Sequence, residues 1–154
     1  MKKINTMQTK QVIEAYALIN KSKLTKMEDA DKFTVIKAIR ALKPIYTAYE
    51  EYIKDAQEKL KGENHDEMVK KGEEFNRNNK NVADLTPEEL SSLKEVNNYF
   101  RTYNGNLQKL IEEELSKEVS PEYERLTEAA LHKFIASNDL SVEECIKVSD
   151  VLVK

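Results

Sequence analysis

The stretch that decides the fold is VIKAIRALKPIYTAYEEYIKDAQEKL, residues 35–60. Its apolar residues recur at alternating steps of three and four, and they fall on one face when each residue advances by about 100°. Lys and Glu side chains occupy most of the opposite face. Pro44 keeps this phase, although its missing N–H should release one backbone bond and bend the helix. The pattern predicts a long helix over about 31–61.

A second long helix is predicted over 87–117. Thr86-Pro87-Glu88-Glu89 supplies a capping box, with proline at the first helical position. The apolar residues after it continue in one phase across Gly105, so we expect a single helix. Two long helices joined by a polar segment predict an antiparallel hairpin that resembles a coiled coil. Matching the two stripes pairs Tyr46 with Tyr103, Tyr49 with Phe100 and Ile53 with Val96, within one chain or between subunits.

Shorter elements are predicted on either side of the hairpin. A first helix is expected over 9–22, and a small C-terminal helical segment over 127–153, with Thr127 and Ser141 as caps. Residues 119–125 read as an extended segment that pairs with residues 2–5. The polar tip segment 62–85 holds one possible helical turn. The fold class is therefore mainly α, one domain over 1–154, with a minimal two-stranded β element.

The composition agrees with a helical protein of the cytoplasm. Charged residues make up 34%, mean hydropathy is −0.69, and the chain has three Gly, three Pro and no Trp. No apolar run approaches the ~20 residues that span a bilayer, so no membrane association is expected. Cys145 is the single cysteine, and a lone thiol suits a reducing compartment.

Charge is divided unevenly along the chain. Residues 1–43 hold ten Lys/Arg and four Asp/Glu, a net of +6, whereas residues 44–154 hold fifteen and twenty-four, a net of −9. The split indicates either a basic contact surface or opposite ends that attract each other or a neighbouring molecule. No compact Lys/Arg cluster with interleaved aromatics is visible, which disfavours nucleic acid as the partner.

No residue pattern points to catalysis. His65 and His132 have no set of partners for a metal, and Cys145 lies beside carboxylates that would raise the pKa of a thiol. Consecutive glutamates such as Glu112-Glu113-Glu114 point apart on a helix. We therefore predict no catalytic, metal or cofactor site, no cofactor, and a protein that is not an enzyme.

Two groups of residues are candidates for contact with a partner. The first is the tip, around Met68, Val69 and Phe75, which either binds a partner or is a disordered connector. The second lies off the main stripe of the first long helix and either covers other helices or forms an exposed patch. Its members are Phe33, Ile36, Lys37 and Arg40.

The layout resembles a known group of proteins. The run Lys32-Phe33-Thr34-Val35-Ile36-Lys37-Ala38-Ile39-Arg40-Ala41-Leu42-Lys43-Pro44 leads into Tyr49-Glu50-Glu51-Tyr52, and the chain closes on Leu140-Ser141-Val142-Glu143 to Leu152. These segments resemble small helical proteins of unknown function encoded by tailed phages and prophages. The resemblance implies a virion or assembly component that binds other proteins, itself included, in the host cytoplasm or the virion.

Two other functions remain open. A chain of phage origin could instead act as an inhibitor that binds a host defence or nucleic-acid enzyme. A nucleic-acid-binding protein that uses the basic N-terminal third is a weaker alternative.

Overall fold

The structure, a computed structural model, describes residues 3–153. Its elements in chain order are strands β1 (Lys3–Ile4) and β2 (Met7–Gln8), helices α1 (Thr9–Ile19), α2 (Asp29–Leu60) and α3 (His65–Asn78), a 3₁₀ turn (Val82–Asp84), helix α4 (Pro87–Ser116), strands β3 (Glu118–Val119) and β4 (Glu122–Tyr123), and helices α5 (Glu128–Ala136) and α6 (Val142–Leu152). The mainly helical fold with two long helices is confirmed. In this described part, no helix combines the length and the apolar character that crossing a bilayer requires.

The tip segment is more helical than the sequence analysis predicted. Where one helical turn was expected, α3 runs for 14 residues. Asp66 and Glu67 lie in its first turn, where negative charge favours a helix, and Asn79 ends it in the left-handed conformation with φ 45°. The expectation of one continuous helix across Gly105 is confirmed by α4.

Two small antiparallel sheets join the beginning of the chain to the segment after α4. Lys3 and Ile4 of β1 pair with Tyr123 and Glu122 of β4, while β2 pairs with β3. The predicted pairing of residues 119–125 with the N-terminus is therefore confirmed, and Lys2 lies outside the described residues.

The chain divides into two compact units. The terminal unit comprises residues 1–51 and 113–154, and the middle unit comprises residues 52–112. The terminal unit holds one buried apolar cluster to which α1, the first part of α2, α5 and α6 all contribute. Val12, Val35, Leu42, Phe134 and Val148 are among its members that are fully buried.

A polar network closes the terminal unit around Asn5, which is 7% exposed. The amide nitrogen of Asn5 donates to the carbonyl oxygens of Lys3 and Tyr123, at 2.8 and 3.0 Å. Its amide oxygen accepts from Nε of Arg125 at 2.8 Å, and a terminal nitrogen of the same guanidinium donates to the carbonyl of Val153 at 2.6 Å. Both polar atoms of the buried Asn5 amide thus have partners, as a buried amide requires.

Within one chain, the predicted hairpin register is wrong. In the terminal unit, the ring of Tyr46 of α2 contacts the ring of Tyr16 of α1, with centroids 4.6 Å apart and the ring planes tilted by 35°. In the middle unit, the hydroxyl of Tyr103 donates to the carbonyl of Gln57 at 3.4 Å. Gln57 lies eleven residues beyond Tyr46, so α4 meets the last turns of α2. The prediction failed because it paired all the apolar residues of α2 with α4. Val35, Ala38 and Leu42 instead pack in the core of the terminal unit.

The buried hydroxyl of Tyr123 should make the stability of the terminal unit depend on pH in the alkaline range. Its hydroxyl donates to the carbonyl of Val151 at 2.6 Å, and its side chain is 1% exposed. Burial raises the pKa of Tyr123 to about 12, against a smaller opposing effect of Arg125. An unfolded tyrosine has a pKa of about 10. The buried phenol of Tyr123 therefore stabilises the folded state fully below pH 10, and this stabilisation is lost as the pH rises through the pKa of the folded state.

We expect the stability difference between the wild type and Tyr123→Phe to fall by about 2 kcal/mol from pH 10 to 12, because each unit of pKa shift corresponds to about 1.4 kcal/mol and part of the loss lies outside this window. Urea denaturation of both proteins along this pH series measures it, and the lysines, which titrate in both, cancel in the difference. A difference that stays constant over this range would contradict the buried phenol.

Candidate functional site

Helix α3 packs closely against α4 in the middle unit. The position of Gly72 shows the proximity, since a β-carbon there would lie 3.7 Å from a methyl group of Val96. Met68, Val96 and Ala56 are the most buried apolar residues of the unit, at 1%, 5% and 4% exposure. Met68, which the sequence analysis placed among the contact residues, is thus a core residue whose side chain a partner does not reach.

His65 anchors the start of α3 to α4. Its Nδ1 lies 2.7 Å from the hydroxyl of Tyr99, and that same hydroxyl accepts a hydrogen bond from the backbone N–H of Gly62 at 3.1 Å. The imidazole also contacts the rings of Tyr99, Phe100 and Tyr103, with centroids 5.2–6.0 Å away. This aromatic group fixes where α3 begins, and therefore where its far end reaches.

The far end of α3 and the beginning of α4 enclose the tip hollow, which we define by its lining residues. Its two adjoining parts, of about 450 and 140 Å³, share Phe75, Asn78, Lys80 and Glu89. The wider part is further lined by Lys71, Glu74, Glu88 and Ser92, and the smaller part by Val82, Leu85 and Leu93. The hollow therefore has an apolar floor and a charged rim.

Local sequence explains how this hollow forms. Asn79 turns the chain out of α3, and the 3₁₀ turn Val82–Asp84 carries it back towards α4. The hydroxyl of Thr86 then accepts from the backbone N–H of Glu89 at 3.1 Å, which confirms the predicted cap. Val82 is 64% exposed, an unusual position for a large apolar side chain, and it lies at the mouth of the hollow.

The cations of the rim are paired within the chain. Lys71 lies 3.3 Å from Glu67 and 3.4 Å from Glu95, and the hydrogen bond with Glu67 raises the pKa of Lys71. Lys80 lies 3.5 Å from Glu89. Partial burial opposes the ionisation of Glu89, but hydrogen bonds from Thr86 and the charge of Lys80 outweigh it and lower the pKa.

Glu74 and Glu88 are exposed at the same rim and form no ion pair in the described part of the chain. The rim thus leaves carboxylates free for cationic groups of a partner. Within residues 3–153, no group of three or more His, Cys, Asp or Glu could hold a metal ion.

The structure separates the other predicted contact residues into two places. Phe75 and Val69 are half-buried on α3, and Phe75 lines the tip hollow. Phe33 is 63% exposed, Ile36 is half-buried, and Lys37 and Arg40 are exposed on α2, in the terminal unit.

Sequence reasoning missed Val82 and Leu85 because the segment 62–85 read as polar, and it counted Leu93 among the apolar residues of the second long helix rather than at the tip. A signal was present nonetheless, since Leu85 directly precedes the cap Thr86, at the position from which a hydrophobic staple begins.

A separate apolar groove lies between α5 and α6 in the terminal unit. Val142 and Ile146 are 78% and 56% exposed along it, and Cys145 is only partly buried at its wall.

No protein-family model matches this chain, and no curated protein or solved structure matches it significantly. Geometry and sequence therefore carry the functional argument.

The anchor of α3 can be tested with two tyrosine variants. Tyr99→Phe removes a hydroxyl that contacts both Gly62 and His65, so we expect a loss of about 1–2 kcal/mol in the free energy of unfolding. Tyr103→Phe, the matched control, removes one long exposed bond and should cost about 0.5 kcal/mol or less. Chemical denaturation compares the two, and equal losses would contradict the special role of Tyr99.

Proposed function

We propose that this protein is a non-enzymatic protein-interaction component, and that the tip hollow receives an apolar side chain of the partner. The observation that carries the proposal is the open hollow beside Phe75, with Val82 left 64% exposed at its mouth. Binding sites are concave and mostly apolar, with few polar groups that fix orientation. Burying one large anchor side chain there would contribute about 1.5–3 kcal/mol.

The charges at the rim of the tip hollow favour a partner that carries basic residues beside its apolar anchor side chain. Lys71 and Lys80 are already paired, whereas Glu74 and Glu88 are not. A Lys or Arg of the partner would meet these carboxylates at the edge of the contact, where charge mainly affects the association rate and specificity.

The biological setting is part of the same proposal and rests on the sequence resemblance alone. Segments such as Lys32–Pro44 resemble small helical proteins of tailed phages, which supports an accessory role in virion assembly within a bacterial cytoplasm. The second candidate is an inhibitor of a host enzyme. Recovery of one host enzyme in a stable stoichiometric complex would favour the inhibitor, whereas recovery of virion proteins would favour the assembly role.

The tip contact can be tested with matched valine variants. Val82→Asp places a charge at the mouth of the hollow, and Val142→Asp places the same charge on the separate α5–α6 groove. Both valines are more than half exposed, so both variants should retain the melting temperature of the wild type.

We expect proteins captured by the wild type in phage-infected or host extracts to be captured also by Val142→Asp and lost with Val82→Asp. For a purified partner, calorimetric titration should show Kd weakened by about tenfold or more for Val82→Asp, because the charge would have to be desolvated in the contact. Capture that depends on Val142 and not on Val82 would place the contact in the other groove and contradict the proposal.

A further inference from the structure

The outer side of α2 carries a basic surface, which we call the basic face and define as Phe33, Lys37, Arg40 and Lys43. At about 100° per residue, Phe33, Lys37 and Arg40 lie opposite Val35, Ala38 and Leu42, which are fully buried, and Lys43 lies at the edge of the same side. Phe33 is 63% exposed and the three cations are exposed. Further along, Arg40 and Lys43 border a shallow hollow with Pro44 and Ala48.

The charge of the basic face is not compensated locally. The sequence of α2 holds no Asp or Glu between Asp31 and Glu50. Elsewhere, lysines such as Lys61, Lys117 and Lys133 form ion pairs at 2.8–2.9 Å. Within residues 3–153, the three cations of the basic face form none. They are therefore available to an anionic partner.

The same unit carries exposed carboxylates of opposite sign, which we call the acidic strip: Glu122, which pairs with Ile4 across β4 and β1, Glu124, which follows β4, and Glu118 of the neighbouring strand β3. The intervening Tyr123 is buried, so Glu122 and Glu124 face outwards. Ile4 is 68% exposed between these strands. The three carboxylates are exposed and form no ion pair in the described chain.

Neighbouring cations offset the acidic strip only in part. Lys117 is paired with Glu114 at 2.8 Å, and the guanidinium of Arg125 is engaged by Asn5 and the carbonyl of Val153. Among the described strand residues, the exposed cation that is left beside the acidic strip is Lys3, next to Ile4.

We propose that the basic face of one molecule docks on the acidic strip of a second copy of this chain. Each surface presents one exposed apolar residue, Phe33 or Ile4, beside three charges of one sign, so the two are complementary in both respects. No ion pair joins the two surfaces within one described chain, so their charges remain free for contact between molecules. Such a contact is heterologous and produces rings or open chains of copies.

A second copy fits the basic face better than a nucleic acid does. Lys37 to Lys43 spans only about 9 Å at ~1.5 Å per residue. Asp29 and Asp31 precede the face along α2, and Glu50 and Glu51 follow it, so a longer phosphate backbone would meet like charge.

The test is sedimentation of the full chain over a concentration series, at low salt and at about 1 M salt, where the Debye length falls to roughly 3 Å. We expect self-association of the wild type at low salt, with a loss at high salt. The variants R40E/K43E and E122K/E124K should each weaken the association constant by about tenfold or more, because attraction becomes repulsion. K54E/K94E, a matched control on exposed lysines of the middle unit, should associate as the wild type does.

Mixing the two charge-reversed variants provides the decisive arm. R40E/K43E then carries two acidic surfaces, and E122K/E124K carries two basic ones. A mixture of the two should therefore form complexes that neither variant forms alone. Circular dichroism of each variant checks that it remains folded. A wild type that is monomeric at low salt, or a mixture that fails to pair, overturns the proposal. A labelled single-stranded oligonucleotide provides the other contradicting result. If it binds the wild type in competition with self-association and does not bind R40E/K43E, the basic face serves nucleic acid and the proposal is overturned.

Discussion

The burial of the first half of α2 against the two ends of the chain is the constraint on which the rest of the structure depends. Val35, Ala38 and Leu42 are fully buried in one cluster with residues of α1, α5 and α6. That cluster requires the N-terminal segment and the residues after α4 to meet, and the two short sheets with the hydrogen bonds of Asn5 hold them there. Such small sheets would be marginal alone, so the apolar cluster stabilises them.

This arrangement leaves only the last turns of α2 for the middle unit. Ala56 is buried there, while α3 supplies Met68 and α4 supplies Val96. With so few buried apolar side chains, the position of α3 depends more on specific contacts, chiefly those that join His65, Tyr99 and Gly62. The tip hollow thus follows from a unit that is too small to fill the space between the end of α3 and the start of α4.

The sequence predicted local structure well because local signals decide it. Thr86, Thr127 and Ser141 cap their helices as expected, and helical periodicity located both long helices, α2 and α4. It failed where distant segments compete for one surface. The α2 stripe reads as uniform, and nothing in its spacing shows that Tyr46 meets Tyr16 while Gln57 meets Tyr103. Likewise, Met68 and Phe75 look alike in sequence, yet tertiary packing buries the first and leaves the second at the hollow.

The central claim, that the stripe of α2 is divided between two sets of partners, is tested most directly by nuclear Overhauser contacts between side chains in solution. The account predicts contacts from the Tyr46 ring to the Tyr16 ring, whose centroids are 4.6 Å apart, and from the Tyr103 ring to Gln57. Contacts from Tyr46 to Tyr103 and from Tyr49 to Phe100 within one chain would instead show a single uniform hairpin and contradict it.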